Sequence, residues 1–218
     1  VNAGRPPLVR RGPRGRSLKK TAYSAMRRLI GSGRLAPWLD CVLLELFQAE
    51  AGDLRQIARM PKAFSSRLAT RDDASELGEF FGSPDRVQQR LDRGDVCAVV
   101  VAGGHICAGA WFIPGPAIIE DDWNDVRCRY QIPAGTVWGY DGRGIKPGAW
   151  GCLIACLPGY MAELGAERIA VSIHYNNHRS IDSHLSAGFH SAGWIGCLRI
   201  LGLTARTFRA VGQRWHRL

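Results

Sequence analysis

Two strand-like runs joined by a pair of glycines constrain this chain more than any other feature. Val96–Ala102 (VCAVVVA) is apolar and β-branched, Gly103-Gly104 follows, and His105–Ile113 (HICAGAWFI) resumes a strand-like run. A two-residue Gly-Gly link is a tight antiparallel turn, because both positions need positive φ and glycine takes it without a Cβ penalty. Counting outward from that turn puts Cys97 opposite Ala110 and Cys107 opposite Val100, so the two thiols are not expected to face each other.

Around this hairpin, helices and strands alternate. Phe64–Ala69 reads as a strand. Thr70–Asp73 offers a helix N-cap, with a helix to about Phe81. Ser83-Pro84 offers a second, with Pro at the first helical position and a helix to about Arg93. Thr136–Asp141 (TVWGYD) is the next strand, and the Gly-rich stretch Gly142–Gly151 leads into an apolar helix ending near Gly165. Arg168–Tyr175 is a strand, Asn177–Ala187 a helix, and Ser191–Ile200 with Leu203–Ala210 a closing hairpin. Upstream, Cys41–Gln48 reads as a strand and Asp53–Met60 as a short helix stopped by Pro61. Pro114–Pro133, which holds Glu120, Asp121, Asp122, Trp123 and Asp125, reads as a long irregular segment. The expected divisions are 1–16 as a disordered basic arm, 17–62 as an N-terminal extension of one helix and one strand, and 63–218 as the main domain.

Charge divides the chain more sharply still. The formal net charge is +10, and residues 1–35 hold ten Arg and Lys side chains and no acid. Beyond them, nineteen basic residues balance nineteen acidic ones, so the domain itself lacks a nucleic-acid footprint. Leu18, Ala22, Met26, Leu29 and Ile30 recur at helical spacing, with Lys19, Lys20, Arg27 and Arg28 largely on other faces, before Gly31-Ser32-Gly33. Such a helix either docks on an anionic membrane surface or packs on its own domain. Nucleic acid is a weaker third reading, since only Tyr23 interleaves with the basic residues. The arm has no apolar core of the kind a secretory signal needs. No apolar run reaches the ~20 residues of a membrane span; Leu35–Phe47 is broken by Pro37, Asp40 and Glu45. Seven cysteines form no CxxC pair, which favours free thiols in a reducing cytoplasm. His174 and His178 flank a strand end rather than share a helical face, so no metal site is expected.

One local motif gives the order of elements a meaning. In NHRSIDSHLSAGF, Asn177, Ser180, His184, Gly188 and Phe189 fall at fixed spacings along one helix and its end. That motif and the element order from residue 64 resemble the GCN5-related N-acetyltransferase (GNAT) superfamily. LATRDD is similar to the family's first strand and its turn, and GGHICAGAWFI to its hairpin. The resemblance covers about 64–210. It implies an α/β (α+β) fold with a mixed, mostly antiparallel central sheet flanked by helices, here with a basic N-terminal extension. It departs at the pyrophosphate loop, where the family has Q/R-x-x-G-x-G/A. In DGRGIKPGAWGCLIA, Lys146–Gly151 has Ala149 for the first Gly, Arg143–Gly148 has Lys146 there, and Trp150–Ala155 has Leu153. The stretch remains Gly-rich and cationic, as an anion site before a helix requires.

The resemblance implies transfer of an acyl group, most simply acetyl from acetyl-CoA, to a primary amine of a small molecule or amino sugar, by direct attack and without a metal. It assigns cofactor contacts to Trp138, Gly139, Arg143, Lys146, Gly148, Gly151, Asn177 and Ser180. His184 takes the place of a general-acid Tyr, its unperturbed pKa of ~6.5 lying below that of a thiol. Asp141, then Tyr140, is the candidate base. Plainer readings stand beside these. Asn177 caps a helix, Gly139 relieves packing beside Trp138, Asp141 makes a turn, His184 packs, and Glu120–Asp125 is a solvated loop rather than a lure for a cationic acceptor.

A basic helix, a strand and then this domain is also a layout similar to bacterial acetyltransferases that accompany polysaccharide assembly. It implies a cytoplasmic protein peripheral to the inner membrane face, held there through residues 1–35. A homodimer is compatible with it, and no specific nucleic acid is expected. The alternative is a catalytically silent domain of the same fold that binds acyl-CoA or a protein partner.

Overall fold

The run VCAVVVA shows no alternation because both of its faces are covered. It forms β3 (Val96–Ala102) in a computed structural model that describes residues 39–55, 61–123, 126–210 and 216–217. Cys97 and Val99 pack with Trp111 against Leu77, Phe80 and Val87 of α1 (Ala74–Phe81) and α2 (Pro84–Arg93). Ala98 and Val100 point the other way, to Leu153, Leu157 and Met161 of α3 (Ala149–Glu163). The sheet is therefore the middle of three layers.

Among the described residues nine strands form that sheet. They are β1 (Leu39–Glu50), β2 (Ser65–Leu68), β3, β4 (His105–Pro114), β7 (Thr136–Gly144), β8 (Arg168–His174), β9 (His190–Ile200), β10 (Leu203–Ala210) and β11 (His216–Arg217). Their spatial order is β11-β10-β9-β1-β8-β7-β4-β3-β2. Every neighbouring pair is antiparallel except β7 with β8, which run parallel. β1, expected in the N-terminal extension, lies inside the sheet between β8 and β9, so the sheet runs across residue 62. The basic arm and the helix Leu18–Ile30 lie outside the described residues. So does most of the helix expected over Asp53–Met60; of its described residues, Asp53 ends a 3₁₀ turn, Ala51–Asp53, and Leu54 is extended.

Local chemistry sets the helix starts. Asp73 accepts from the Thr70 backbone N–H at 2.7 Å and closes a capping box ahead of α1. Arg67 donates two bonds of 2.7 Å to the same carboxylate. That guanidinium, with the Thr70 donors, holds the Asp73 pKa down at about 2. Asn177 caps α4 (His178–Ser186), its side-chain oxygen accepting from Ser180 N–H at 3.2 Å.

The structure corrects the sequence reading in three places. The β3–β4 hairpin turns at Gly103-Gly104, with φ of 65° and 83°, yet a bulge after Val101 advances the register by one. Cys97 therefore faces Trp111, and Cys107 is the extra residue, its thiol on the Val100 carbonyl at 3.2 Å. The segment Pro114–Pro133 is a second hairpin, β5 (Ala117–Trp123) with β6 (Val126–Ile132). Its register places Glu120 opposite Arg129 and Asp122 opposite Arg127. The strand expected to end at Asp141 continues to Gly144.

Candidate active site

β7 and β8 pair only from Thr136↔Arg168 to Gly139↔Val171. Beyond those residues the two parallel strands part. β7 also bulges there: its register on β4 shifts between Gly109↔Arg143 and Trp111↔Tyr140, and Asp141 takes a left-handed φ of 46°. A bulge frees backbone from the ladder and re-aims the strand.

The parting leaves a cleft of about 100 Å³. Its walls include Gly139, Asp141 and Gly142 of β7, Val171 and Ile173 of β8, Trp150, Leu153 and Leu157 of α3, and Ser180 and His184 of α4. Two glycines keep it open. A Cβ on Gly139 would sit 3.0 Å from Val171 Cγ1, and one on Gly142 would sit 2.4 Å from the Trp150 ring.

His184 is buried, and its Nδ1 lies 2.8 Å from the Ser180 carbonyl oxygen. A carbonyl only accepts, so Nδ1 carries the hydrogen and Nε2 carries the lone pair in the neutral ring. Burial pushes the His184 pKa below the ordinary imidazole value. The resting state is thus a neutral base, not the imidazolium that a general acid needs at the outset. Phe189 meets the ring edge-on at 5.0 Å between centroids.

The other expected residues separate into groups. Gly148, at φ 82°, caps α3, and Lys146 stands in the turn before it, its carbonyl accepting from Ala149 N–H. A Cβ on Gly151, in the first turn of α3, would meet nothing within 4 Å, so this helix start is open to a bulky group. Arg143 is drawn aside: it donates to the Phe80 carbonyl at 2.7 Å and stacks over the Phe80 ring. Asn177 and Ser180 are joined by the helix cap.

Tyr140 and Asp141 are both engaged. The Tyr140 hydroxyl donates to Asp95 and accepts from Arg93 at 3.3 Å, and burial together with Asp95 raises its pKa far above the ordinary phenol value. Asp141 pairs with Arg90 at 2.7 Å. Trp138 and Tyr140 line a second, larger groove on the α2 side of the sheet, with Arg86, Arg90, Arg93 and Asp95 facing Ile113, Ile118 and Ile119. Tyr140 borders both hollows.

Two residues were not singled out from the sequence. Arg90 is buried in α2, stacked against Trp111 and Tyr140 at 5.2 and 5.0 Å. It sits one turn after Val87, in phase with the buried face of α2, and that phase is the signal a sequence offers. Trp150 spans the cleft, covering Gly142 and donating its Nε1–H to Ser183 Oγ at 3.1 Å. Among the described residues no group of three or more His, Cys, Asp or Glu is placed to hold a metal ion, and Cys41, Cys97, Cys107, Cys152, Cys156 and Cys197 are not in disulfides.

No protein-family model matches the sequence, and no curated protein does. Solved structures do resemble it. A functionally unknown conserved protein from Staphylococcus epidermidis is 10% identical over 82% of this chain and 67% of its own, with a TM-score of 0.55. A GCN5-related N-acetyltransferase from Sphaerobacter thermophilus is 14% identical over 82% of this chain and 56% of its own, with a TM-score of 0.50. An acetyltransferase from the GNAT family of Colwellia psychrerythraea is 12% identical over 79% and 57%, also at 0.50. The chain thus spans little more than half the length of the two acetyltransferases, and at these identities the likeness establishes the fold.

Proposed function

From a chain with the GNAT fold, we propose an acyl-CoA-dependent N-acyltransferase acting on a primary amine of a small molecule or amino sugar. The observation that carries this reading is the cleft itself. Two parallel strands part beside the open start of α3, and a neutral histidine lines the gap.

The residues fit an acyl-CoA. A cradle that a Cβ at Gly139 would fill suits a slender arm between the strands. The Gly148 cap, the open first turn at Gly151 and the Lys146 charge suit a diphosphate, because unpaired N–H groups and the helix dipole favour an anion. Bound there, acyl-CoA would supply an activated acyl thioester. Apolar walls from Leu153, Leu157 and Ile173 exclude water from the reacting centre.

His184 then has a two-part task. Nε2 accepts one of the two protons that the ammonium nitrogen loses on becoming an amide, the other leaving to solvent, and the imidazolium so formed hands its proton to the departing thiolate. One proton thus ends on the thiol and one in solvent, so the transfer balances. Asp141, held by Arg90, serves to orient the acceptor. The α2 groove, sharing Tyr140 with the cleft, suits the acceptor.

Calorimetric titration with acetyl-CoA followed by turnover against an amine panel tests the reading. Binding with turnover supports it; no binding at millimolar ligand overturns it. A second reading, a silent domain that binds acyl-CoA, draws on one observation: Tyr140 and Asp141 are both tied to partners. Binding without turnover of any amine would favour it.

A further inference from the structure

The groove on the α2 side holds about 790 Å³, against about 100 Å³ for the cleft it adjoins at Tyr140. Its two walls differ in kind. Arg86, Arg90 and Arg93 recur at four and then three residues along α2, so one face of the helix presents all three guanidinium groups. Opposite them stand Ile113, Ile118, Ile119 and Trp138. Ile118 is 58% exposed, so the apolar wall lies open to solvent.

Two of the three cations are balanced in place. Arg90 pairs with Asp141 at 2.7 Å. Arg93 pairs with Asp95, whose side chain is 2% exposed and also takes the Tyr140 hydroxyl. Arg86 is exposed and lines the groove, and its guanidinium makes no ion pair or hydrogen bond among the described residues. The groove thus offers a ligand one uncompensated positive charge, and the acid among its lining residues, Asp95, is already engaged.

Resting on the acyltransferase reading for the role of the amine, we infer that the acceptor is an amino acid with an apolar side chain. Arg86 holds its carboxylate, and Ile118 and Trp138 receive its side chain. A guanidinium presents paired donors that match a carboxylate. The Arg90–Asp141 pair sets the direction of the ligand. Asp141 lines the cleft and attracts the ammonium end, while Arg86, one turn before Arg90, draws the carboxylate away from it. The amine then enters the cleft and the apolar side chain stays in the groove. A polycationic acceptor would meet Arg86 with Asp95 already engaged, which disfavours it. An amino sugar would set unpaired hydroxyls against the isoleucines. The arginines do not serve the diphosphate of acyl-CoA, because α2 and α3 lie on opposite faces of the sheet.

The test compares leucine with leucinol, which has an alcohol in place of the carboxylate, and with glycine, which lacks the apolar side chain. Calorimetry in the presence of coenzyme A reads binding without transfer, and turnover with acetyl-CoA reads kcat/KM. Leucine is expected to lead both comparators about tenfold or more in each measure. Arg86→Gln should shrink the lead over leucinol about tenfold, with Arg86→Lys in between and the circular dichroism spectrum unchanged. Ile118→Ser should narrow the lead over glycine. Equal handling of leucine and leucinol, turnover of glucosamine ahead of leucine, or an undiminished lead in Arg86→Gln overturns the inference and leaves acyl transfer standing. So does the absence of leucine binding beside turnover of another amine. Leucine binding that Arg86→Gln weakens, without transfer to any amine, overturns the transferase reading and leaves the specificity of the groove standing.

Discussion

His184 donates its Nδ1–H to the carbonyl of Ser180, 2.8 Å away and one turn earlier on the same helix, and so reserves Nε2 as the basic nitrogen. With burial holding the ring neutral, the pair fixes tautomer and orientation together. Activity that needs the lone pair persists as pH falls, until the folded pKa is reached. The acid limb of the kcat/KM profile is expected below pH ~6.5, the unperturbed imidazole value. A limb above that value would contradict a buried neutral base.

The same shift bears on stability. The unfolded chain takes its proton near pH ~6.5 and the folded chain only at lower pH, so between the two the unfolded state binds more protons. Stability therefore falls as pH drops through that window and levels off below the folded pKa. His184→Gln should remove this component of the slope, read as urea midpoints across pH. It should also cut turnover ~100-fold or more while acetyl-CoA affinity changes only a few-fold.

Gly142 and Trp150 form a second coupled pair. Gly142→Ala drives a methyl into the indole, whose Nε1 is pinned to Ser183. The expected loss is ~1–3 kcal/mol, as for other overpacked sites. Trp150→Leu added to Gly142→Ala should recover much of it, because the neighbour that clashes is gone. Strict additivity of the two changes in urea unfolding would show that the predicted clash is not what costs stability.

Asp73 supplies an acid-sensitive element at the start of α1. Its folded pKa of about 2 is depressed from an unfolded value of ~3.9. The stabilisation is present above pH ~4 and is lost as pH falls toward 2. Asp73→Asn should destabilise the protein at neutral pH, by ~1–2 kcal/mol for a lost cap and ion pair, and flatten the acid limb of stability.

Local physics made much of this legible. Thr70, Asp73 and Asn177 announce their helices through caps, and Gly103-Gly104 announces a hairpin. The motif from Asn177 to Phe189 led to the fold. The strand period in TVWGYD separates Trp138 from Gly139, and the structure gives those two to different hollows, with Tyr140 bordering both. Other features have no local mark. The bulge at Cys107 shifts the register without a glycine or proline to signal it. In β5 the acids of AIIEDDW mask the strand, although VRCRYQI in β6 alternates plainly. The ties of Tyr140 to Asp95 and of Asp141 to Arg90 depend on where α2 docks, which no short window reveals.

β1 lies between β8 and β9, and its neighbours in space are more than a hundred residues away in sequence: Leu44 pairs with His174 on one side and Ile195 on the other. A ribosome makes this strand early and its partners late. Its apolar edges must wait through synthesis of the intervening chain, and contacts of such long separation are slow to form. Removal of residues 1–35 spares the strand. Removal of residues 1–62 parts β8 from β9 and leaves two sheet edges where there was a centre. The β9–β10 hairpin is thus made more than a hundred residues after the strand whose open edge it covers.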